Sequence, residues 1–140
     1  MNLPKNNYKL TEIFKNARTP KLSEFNGEYF VDMLTILPSL RKFSHRKIFY
    51  SENDKILGYN IIFTNKIWGH FFLEEGICEE LNLLRVAVIN YNRKENSFIS
   101  NKIRDYVRCL EENTLYLGRF NYIFMGKLYF LGYFSLSKTK

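Results

Sequence analysis

Residues 114–136, TLYLGRFNYIFMGKLYFLGYFSL, decide how the rest of the chain reads. The runs 114–125 and 127–136 are rich in β-branched and aromatic residues, and Met125-Gly126-Lys127 between them is turn-like, the signature of two strands in sequence. In the first run Leu115, Leu117 and Ile123 alternate with Tyr116, Phe120, Tyr122 and Phe124. In the second, Leu128, Phe130, Phe134 and Leu136 alternate with Tyr129, Leu131 and Tyr133. Side chains alternate across a strand with period two, so both faces of these strands are apolar. One face fills or lines an interior. The other meets a helix, a second subunit, or water through its Tyr hydroxyls.

Working toward the N-terminus, the same texture recurs in 28–34, 45–51, 58–64, 67–74, 83–91 and 104–110. The punctuation is Glu52-Asn53-Asp54, Thr64-Asn65-Lys66, Glu75-Gly76 and Glu112-Asn113. Residues 92–103 read as a longer loop with one helical turn. Ahead of the strands, Leu10, Ile13, Phe14 and Ala17 stand at i, i+3, i+4 and i+7, which predicts one amphipathic helix over 8–18. Asn7 is its expected N-cap, and Thr19-Pro20 stops it because the residue before proline leaves the α region. Strands do not alternate with helices, which excludes a doubly wound α/β fold. Eight consecutive short strands hide their edges by closing, so the expectation is an all-β, eight-stranded up-and-down barrel able to hold one small ligand. The helix is expected to plug one end. A β-sandwich is the alternative. Eight strands are too many for a five-stranded oligonucleotide-binding barrel. The organisation expected is a single domain over 1–140, with the helix at 8–18 and the barrel at 27–137.

The 140 residues, 46% hydrophobic and 17% aromatic, supply ample core and argue against disorder. No apolar run approaches the roughly 18 residues of a membrane span. The first ten residues show no apolar segment of a secretory signal. Cys78 and Cys109 lack metal-ligand spacing and are expected to be buried thiols, which places the protein in the cytoplasm. Twenty-one Lys and Arg against fourteen Asp and Glu give a net charge of +7. With 15 Asn, 13 Lys and 12 Ile the composition is that of an AT-rich genome, and the charge reads as solvated faces. One cluster stands out: Arg41, Lys42, Arg46 and Lys47. It contains a single aromatic, Phe43, and no stacking platform, so nucleic acid is not the expected partner. Replacing all four by Gln is expected to leave fold and ligand binding nearly intact.

The chain contains no glycine-rich phosphate loop, no metal-spaced His/Asp cluster and no Ser-His-Asp order, and no cofactor is expected. Trp68, the only tryptophan, precedes Gly69, which inside a strand signals a bulge or a close backbone approach. His45 lies among positive charges that lower its pKa. On 104–109, Asp105 shares a face with Val107 and Cys109, opposite to Arg104, Tyr106 and Arg108, so an inward Asp105 needs a donor from elsewhere. Arg119 on the next strand is the candidate. Tyr29, Trp68, Tyr91, Tyr122 and Phe130 are expected to line the interior, with His45, Asn60, Asp105 and Arg119 as its polar contacts. Three functions follow. The first is binding of a small, mostly apolar or aromatic molecule. The second is an isomerase or hydro-lyase acting on a lipid-like or aromatic substrate with His45 or Asp105 as base. The third is a basic module for RNA or another protein. A homodimer is one use for a second apolar face.

Two local patterns resemble known families. Phe25-Asn26-Gly27-Glu28-Tyr29, entering the first strand after the helix, resembles the Gly-x-Trp opening of lipocalins and other calycins, with Tyr29 in the Trp place. Ala87-Val88-Ile89-Asn90-Tyr91, then Ile103-Arg104-Asp105-Tyr106-Val107-Arg108, Tyr116-Leu117-Gly118-Arg119 and Phe130 to Leu136 follow the order of the lipocalin-like C-terminal domain in bacterial proteins of unknown function named for a GXWXG motif. The N-terminal half departs from them, carrying Trp68-Gly69 without the full motif. The lipocalin arginine near the last strand has only Lys138 in its neighbourhood. The resemblance implies a calycin-like barrel and a bacterial source. It implies no particular ligand, since one fold hosts many functions.

Overall fold

Alternation along each strand sorts the side chains into an inner and an outer set, and hydrogen bonding closes the inner set on itself. The computed structural model describes residues 2–36 and 44–139. Its strands are β1 (Gly27–Met33), β2 (His45–Glu52), β3 (Lys55–Ile62), β4 (Lys66–Cys78), β5 (Leu84–Asn90), β6 (Ile103–Glu111), β7 (Leu115–Phe124) and β8 (Lys127–Lys138). Each pairs antiparallel with the next, and β1 pairs with β8 from Tyr29↔Lys138 to Met33↔Phe134. The chain is therefore an all-β, closed, eight-stranded up-and-down barrel of calycin-like form with one short helix. The β1–β8 ladder excludes the sandwich, because neither strand is left with a free edge.

One turn assignment shifts. Glu75-Gly76 is not a turn: β4 runs through it, and Gly76 leaves room for Val88 of β5, whose Cγ2 would stand 2.5 Å from an added Cβ. The reversal falls instead at Glu79–Leu83, where Asn82 and Leu83 both take positive φ. The turn expected at Glu52-Asn53-Asp54 is present, with Asn53 and Asp54 in the left-handed region, and β3 starts directly after it at Lys55 rather than at 58.

The inner face of the closed half is aromatic. Phe25, Tyr29, Phe49 and Tyr116 pack with ring centroids 4.8–6.4 Å apart, and Phe71 joins them through Phe49. Phe25 and a 3₁₀ turn at Leu22–Glu24 stand over this end. Gly27 at φ +90° admits Lys138, whose Nζ lies 4.8 Å from the Tyr29 ring centroid. A glycine, an aromatic two residues on and a lysine from the last strand thus meet at this end.

Helix α1 (Asn7–Asn16) does not plug the barrel. Its N-cap is Asn6, one residue earlier than expected, whose side chain accepts from the Lys9 amide at 3.0 Å. Leu10 and Phe14 are fully buried against the outer face, among Cys78, Val86, Val88, Leu117 and Tyr133. This is where the second apolar face of β5, β7 and β8 goes. Arg108, outward on β6, fixes the helix C-terminus: its guanidinium donates to the carbonyl oxygens of Phe14, Ala17 and Arg85 and to the Thr19 hydroxyl. The Ala17 carbonyl past the helix end thereby finds a donor, and the Phe14 carbonyl gains a second one beside the Ala17 amide. Cys78 and Cys109 are buried free thiols. No helix among the described residues is long and apolar enough to cross a membrane.

Candidate functional site

Aromatic packing fills one half of the barrel, and the other half is hollow. A cavity of about 520 Å³ opens at the end of the barrel where β1, β3, β5 and β7 finish. Its walls are Val31, Met33 and Ile36 from β1 and the segment after it, Ile62 and Trp68 around the β3–β4 turn, and Ile103, Phe120, Leu131 and Phe134 from β6, β7 and β8. His45, Lys47, Tyr91 and Asp105 supply its polar groups. A larger recess of about 890 Å³ lies beside the β2–β3 turn. It is lined by Glu52, Asn53, Asp54 and Lys55 and holds no buried polar cluster, so it is the weaker candidate.

Lys47 organises the polar floor. It stands two residues after His45 and two before Phe49, so the pleat turns all three inward. Lys47 is only 3% exposed. Its ammonium donates to Asn60 Oδ1 at 2.7 Å and to the Tyr91 hydroxyl at 2.6 Å, and faces Asp105 Oδ2 at 3.7 Å. Asn60 Nδ2 donates to the Gly69 carbonyl at 3.1 Å and to the Tyr91 hydroxyl at 3.0 Å. His45 Nε2 lies 2.8 Å from Asn60 Oδ1. An amide oxygen only accepts, so Nε2 carries the proton and the lone pair of the neutral ring is on Nδ1. Asp105 is 1% exposed, and its Oδ1 has no hydrogen-bond partner among the described residues.

Burial sets the electrostatics. It pushes the Lys47 ammonium down to about 8, against the pull of Asp105. It pushes the Asp105 carboxyl up to about 7, against the pull of Lys47. Desolvation disfavours either charge alone, and the ion pair recovers part of that cost. Burial, then the Lys47 charge, lowers His45 to about 4, which keeps the ring neutral at physiological pH. Burial raises the Tyr91 phenol well above its ordinary value. An apolar chamber therefore ends on a compact set of one amine, one carboxyl, one phenol, one amide and one neutral imidazole.

A bulge builds one wall. Tyr59 pairs with His70 and Asn60 with Trp68, so Gly69 is the extra residue between them, at φ +67°. The sequence signal at Gly69 is thus a real bulge and also a close approach. A Cβ there would stand 3.0 Å from Tyr91 Cε2 and 3.1 Å from Asn60 Nδ2. Trp68, 38% exposed, is turned to the cavity mouth with its ring centroid 6.1 Å from that of Tyr91.

Of the residues singled out in the sequence, His45, Asn60, Trp68, Tyr91 and Asp105 converge on this one region. Tyr29 is inward but belongs to the packed, closed half. Tyr122 packs against the inner core and donates its hydroxyl to the Ile99 carbonyl at 2.7 Å, tying down the β5–β6 loop at the rim. Phe130 and Arg119 lie outside the barrel. The Arg119 guanidinium stacks 3.9 Å from the Phe130 ring centroid, binds the Tyr133 hydroxyl and pairs with Glu80. The expected Asp105–Arg119 contact is corrected accordingly. Arg119 pairs across the sheet with Tyr106 and Tyr133, which face outward, whereas Asp105 faces inward. The donor facing Asp105 is Lys47.

The basic cluster also divides. Arg41 and Lys42 lie outside the described residues. Arg46 is on the outer face, bound to Glu28 at 2.5 Å and to the Thr64 carbonyl. Lys47 is inside, so the four residues do not form one solvated group, and replacing all four removes the floor of the cavity. Comparison of the chain with family models, with curated proteins and with solved structures finds no match, and the geometry alone carries the functional reading.

Proposed function

We propose that the barrel binds a small, mostly apolar molecule in the hollow half, with a single polar end seated on the Lys47–Asn60–Tyr91–Asp105 floor. The observation that carries this is the combination of a cavity of about 520 Å³, apolar on its walls, with a buried polar cluster at its base. Ligand pockets have this size and this division between apolar walls and a few placed polar groups. In this reading Trp68, Ile62 and Leu131 hold the body of the ligand near the mouth, Phe120 and Phe134 flank it deeper, and His45 and Asp105 flank the polar end. An eight-stranded closed barrel is compatible with such a use, and the buried thiols agree with a reducing cytoplasm. A titration of apolar alcohols, aromatics and dyes, followed by Trp68 emission, tests the reading. Entry of a ligand shifts or quenches the emission, since Trp68 is the only tryptophan and lines the cavity. Unchanged emission across the panel, with no binding by calorimetry, overturns it.

A second reading has one observation of its own. Asp105 Oδ1 is buried beside an amine, without a hydrogen-bond partner among the described residues. That is an arrangement for moving a proton on a bound substrate, as in double-bond isomerisation, with Asp105 as base and Lys47 balancing its charge. Deuterium uptake into an enolisable apolar ketone, lost in Asp105→Asn, tests it. No uptake above the buffer rate removes it.

A further inference from the structure

The open end of the barrel differs from the closed end in both polarity and charge. In an up-and-down barrel the β3–β4, β5–β6 and β7–β8 connections all lie at the same end, here the end of the cavity mouth. Each carries exposed apolar side chains at its tip: Phe63 on the first, Phe98 and Ile99 on the second, Phe124 and Met125 on the third. Met125 is 89% exposed and Phe98 75%. Large side chains so far out of any core mark an interaction surface when they cluster. Among the described residues, these three loops carry Lys66, Lys94, Lys102 and Lys127, with one acid, Glu95, which is paired to Arg93. At the opposite end the three turns carry the acids Glu52, Asp54, Glu79, Glu80, Glu111 and Glu112 against one base, Lys55, while Arg18 (paired with Glu24), Lys21 and Lys138 stand beside them. Among the described residues its turns expose one large apolar side chain, Leu83.

We propose that the open end docks on an anionic lipid bilayer, with the tips of these three loops entering the interface and the lysines meeting the headgroups. Apolar and aromatic groups ringed by Lys suit the boundary between headgroups and acyl chains, and basic residues gain from a negative leaflet. The acidic end faces away from such a surface, so the molecule has a preferred orientation on it. A second copy of the chain fits this end poorly, because mouth-to-mouth contact sets four lysines against four. RNA would use the charge but has no stacking use for Ile99 and Met125. The docking geometry places the cavity mouth, with Trp68 and Leu131 on its rim, against the apolar layer, so a ligand can pass between bilayer and barrel without crossing water. Docking itself needs no ligand in the cavity, so it stands or falls separately from the binding function.

Co-sedimentation of the full chain with vesicles tests the proposal. The vesicles are phosphatidylcholine alone, or phosphatidylcholine with phosphatidylglycerol. Binding to the anionic vesicles is expected to exceed binding to the neutral ones by about ten-fold or more, and to weaken as salt rises. Phe98→Ser with Met125→Ser, both in exposed positions, is expected to lower binding about ten-fold without changing the circular dichroism. Leu83→Ser at the closed end is expected to leave it unchanged. Several results overturn the proposal: equal binding to both vesicle types, no binding, or a Phe98→Ser/Met125→Ser variant that binds as the wild type does. A concentration-dependent dimer that the same variant abolishes assigns the face to a second copy. RNA binding that survives the variant assigns it to nucleic acid.

Discussion

Lys47 shows what a strand period reveals and what a charge conceals. Read by charge, it belongs to a basic cluster on a solvated face. Read by parity, it lies on the face of His45 and Phe49, two residues away on either side, and is inward if they are. The pleat decides, and the ammonium ends 3% exposed among Asn60, Tyr91 and Asp105. Such a pair costs stability. Asp105, raised from 3.8 to about 7, is stabilising only while protonated, and that contribution is lost as pH rises from about 4 through 7. Lys47, lowered from 10.5 to about 8, loses its contribution as pH falls through 8. Both penalties are therefore in force between pH 7 and 8. Lys47→Met with Asp105→Leu is expected to match or exceed the wild type in denaturant unfolding at pH 7.5, by about 1–4 kcal/mol, the range for replacing buried ion pairs by apolar groups. The advantage should shrink as pH falls toward 4, where Asp105 takes up its proton. Lys47→Met alone should lose about 3–5 kcal/mol at pH 7.5, since it leaves a buried carboxylate unpaired. A single variant as stable as the wild type would mean that Lys47 reaches water. The inward Asp105 was legible in the sequence, and its donor was not. Arg119 is adjacent in the sheet, but parity turns it outward onto Phe130.

At the scale of the element, α1 was legible as an amphipathic helix because Leu10 and Phe14 recur on one face, and both are fully buried. Where it docks was not legible. Several strands are apolar on both faces, and only the pairing order shows that the outer faces of β5, β7 and β8 form the platform under it. Arg108 makes the attachment specific, because one guanidinium serves the helix C-terminus, Thr19 and Arg85 together. Arg108→Met is expected to cost about 2–4 kcal/mol, from several charge-assisted hydrogen bonds and the Ala17 carbonyl that loses its donor. Hydrogen exchange should speed up at the amides of 10–16 before it does in the barrel. Unchanged protection in the helix would show that Leu10 and Phe14 hold it unaided. Turn chemistry was misread once for an equally local reason. Glu75-Gly76 looks like a reversal, but Gly76 leaves room for Val88 within β4, and the chain turns later at Asn82 and Leu83. Gly76→Ala is accordingly expected to cost about 1–3 kcal/mol from the clash with Val88, measurable by denaturant unfolding.

For the whole molecule, eight strands with consecutive pairing were legible from period two and turn spacing, and closure followed from the need to leave no edge. The division of the interior into a packed half and a hollow half was not legible, because both halves are written in the same aromatic and aliphatic residues. It depends on ring volume by layer: Phe25, Tyr29, Phe49, Phe71 and Tyr116 fill one end, while Val31, Met33, Ile36, Ile62 and Ile103 leave space at the other. That hollow half is the core of the functional reading. Its most direct test is a titration of the wild type and of Val31→Trp with a neutral apolar fluorophore such as Nile red, monitored by energy transfer from tryptophan. One probe per chain is expected to bind the wild type with a Kd in the micromolar range or tighter, with transfer from Trp68. Val31→Trp fills the chamber, and binding should weaken by about ten-fold or more while thermal unfolding still shows a folded barrel. A probe that fails to bind, or that binds both proteins equally, would contradict an open, ligand-holding cavity.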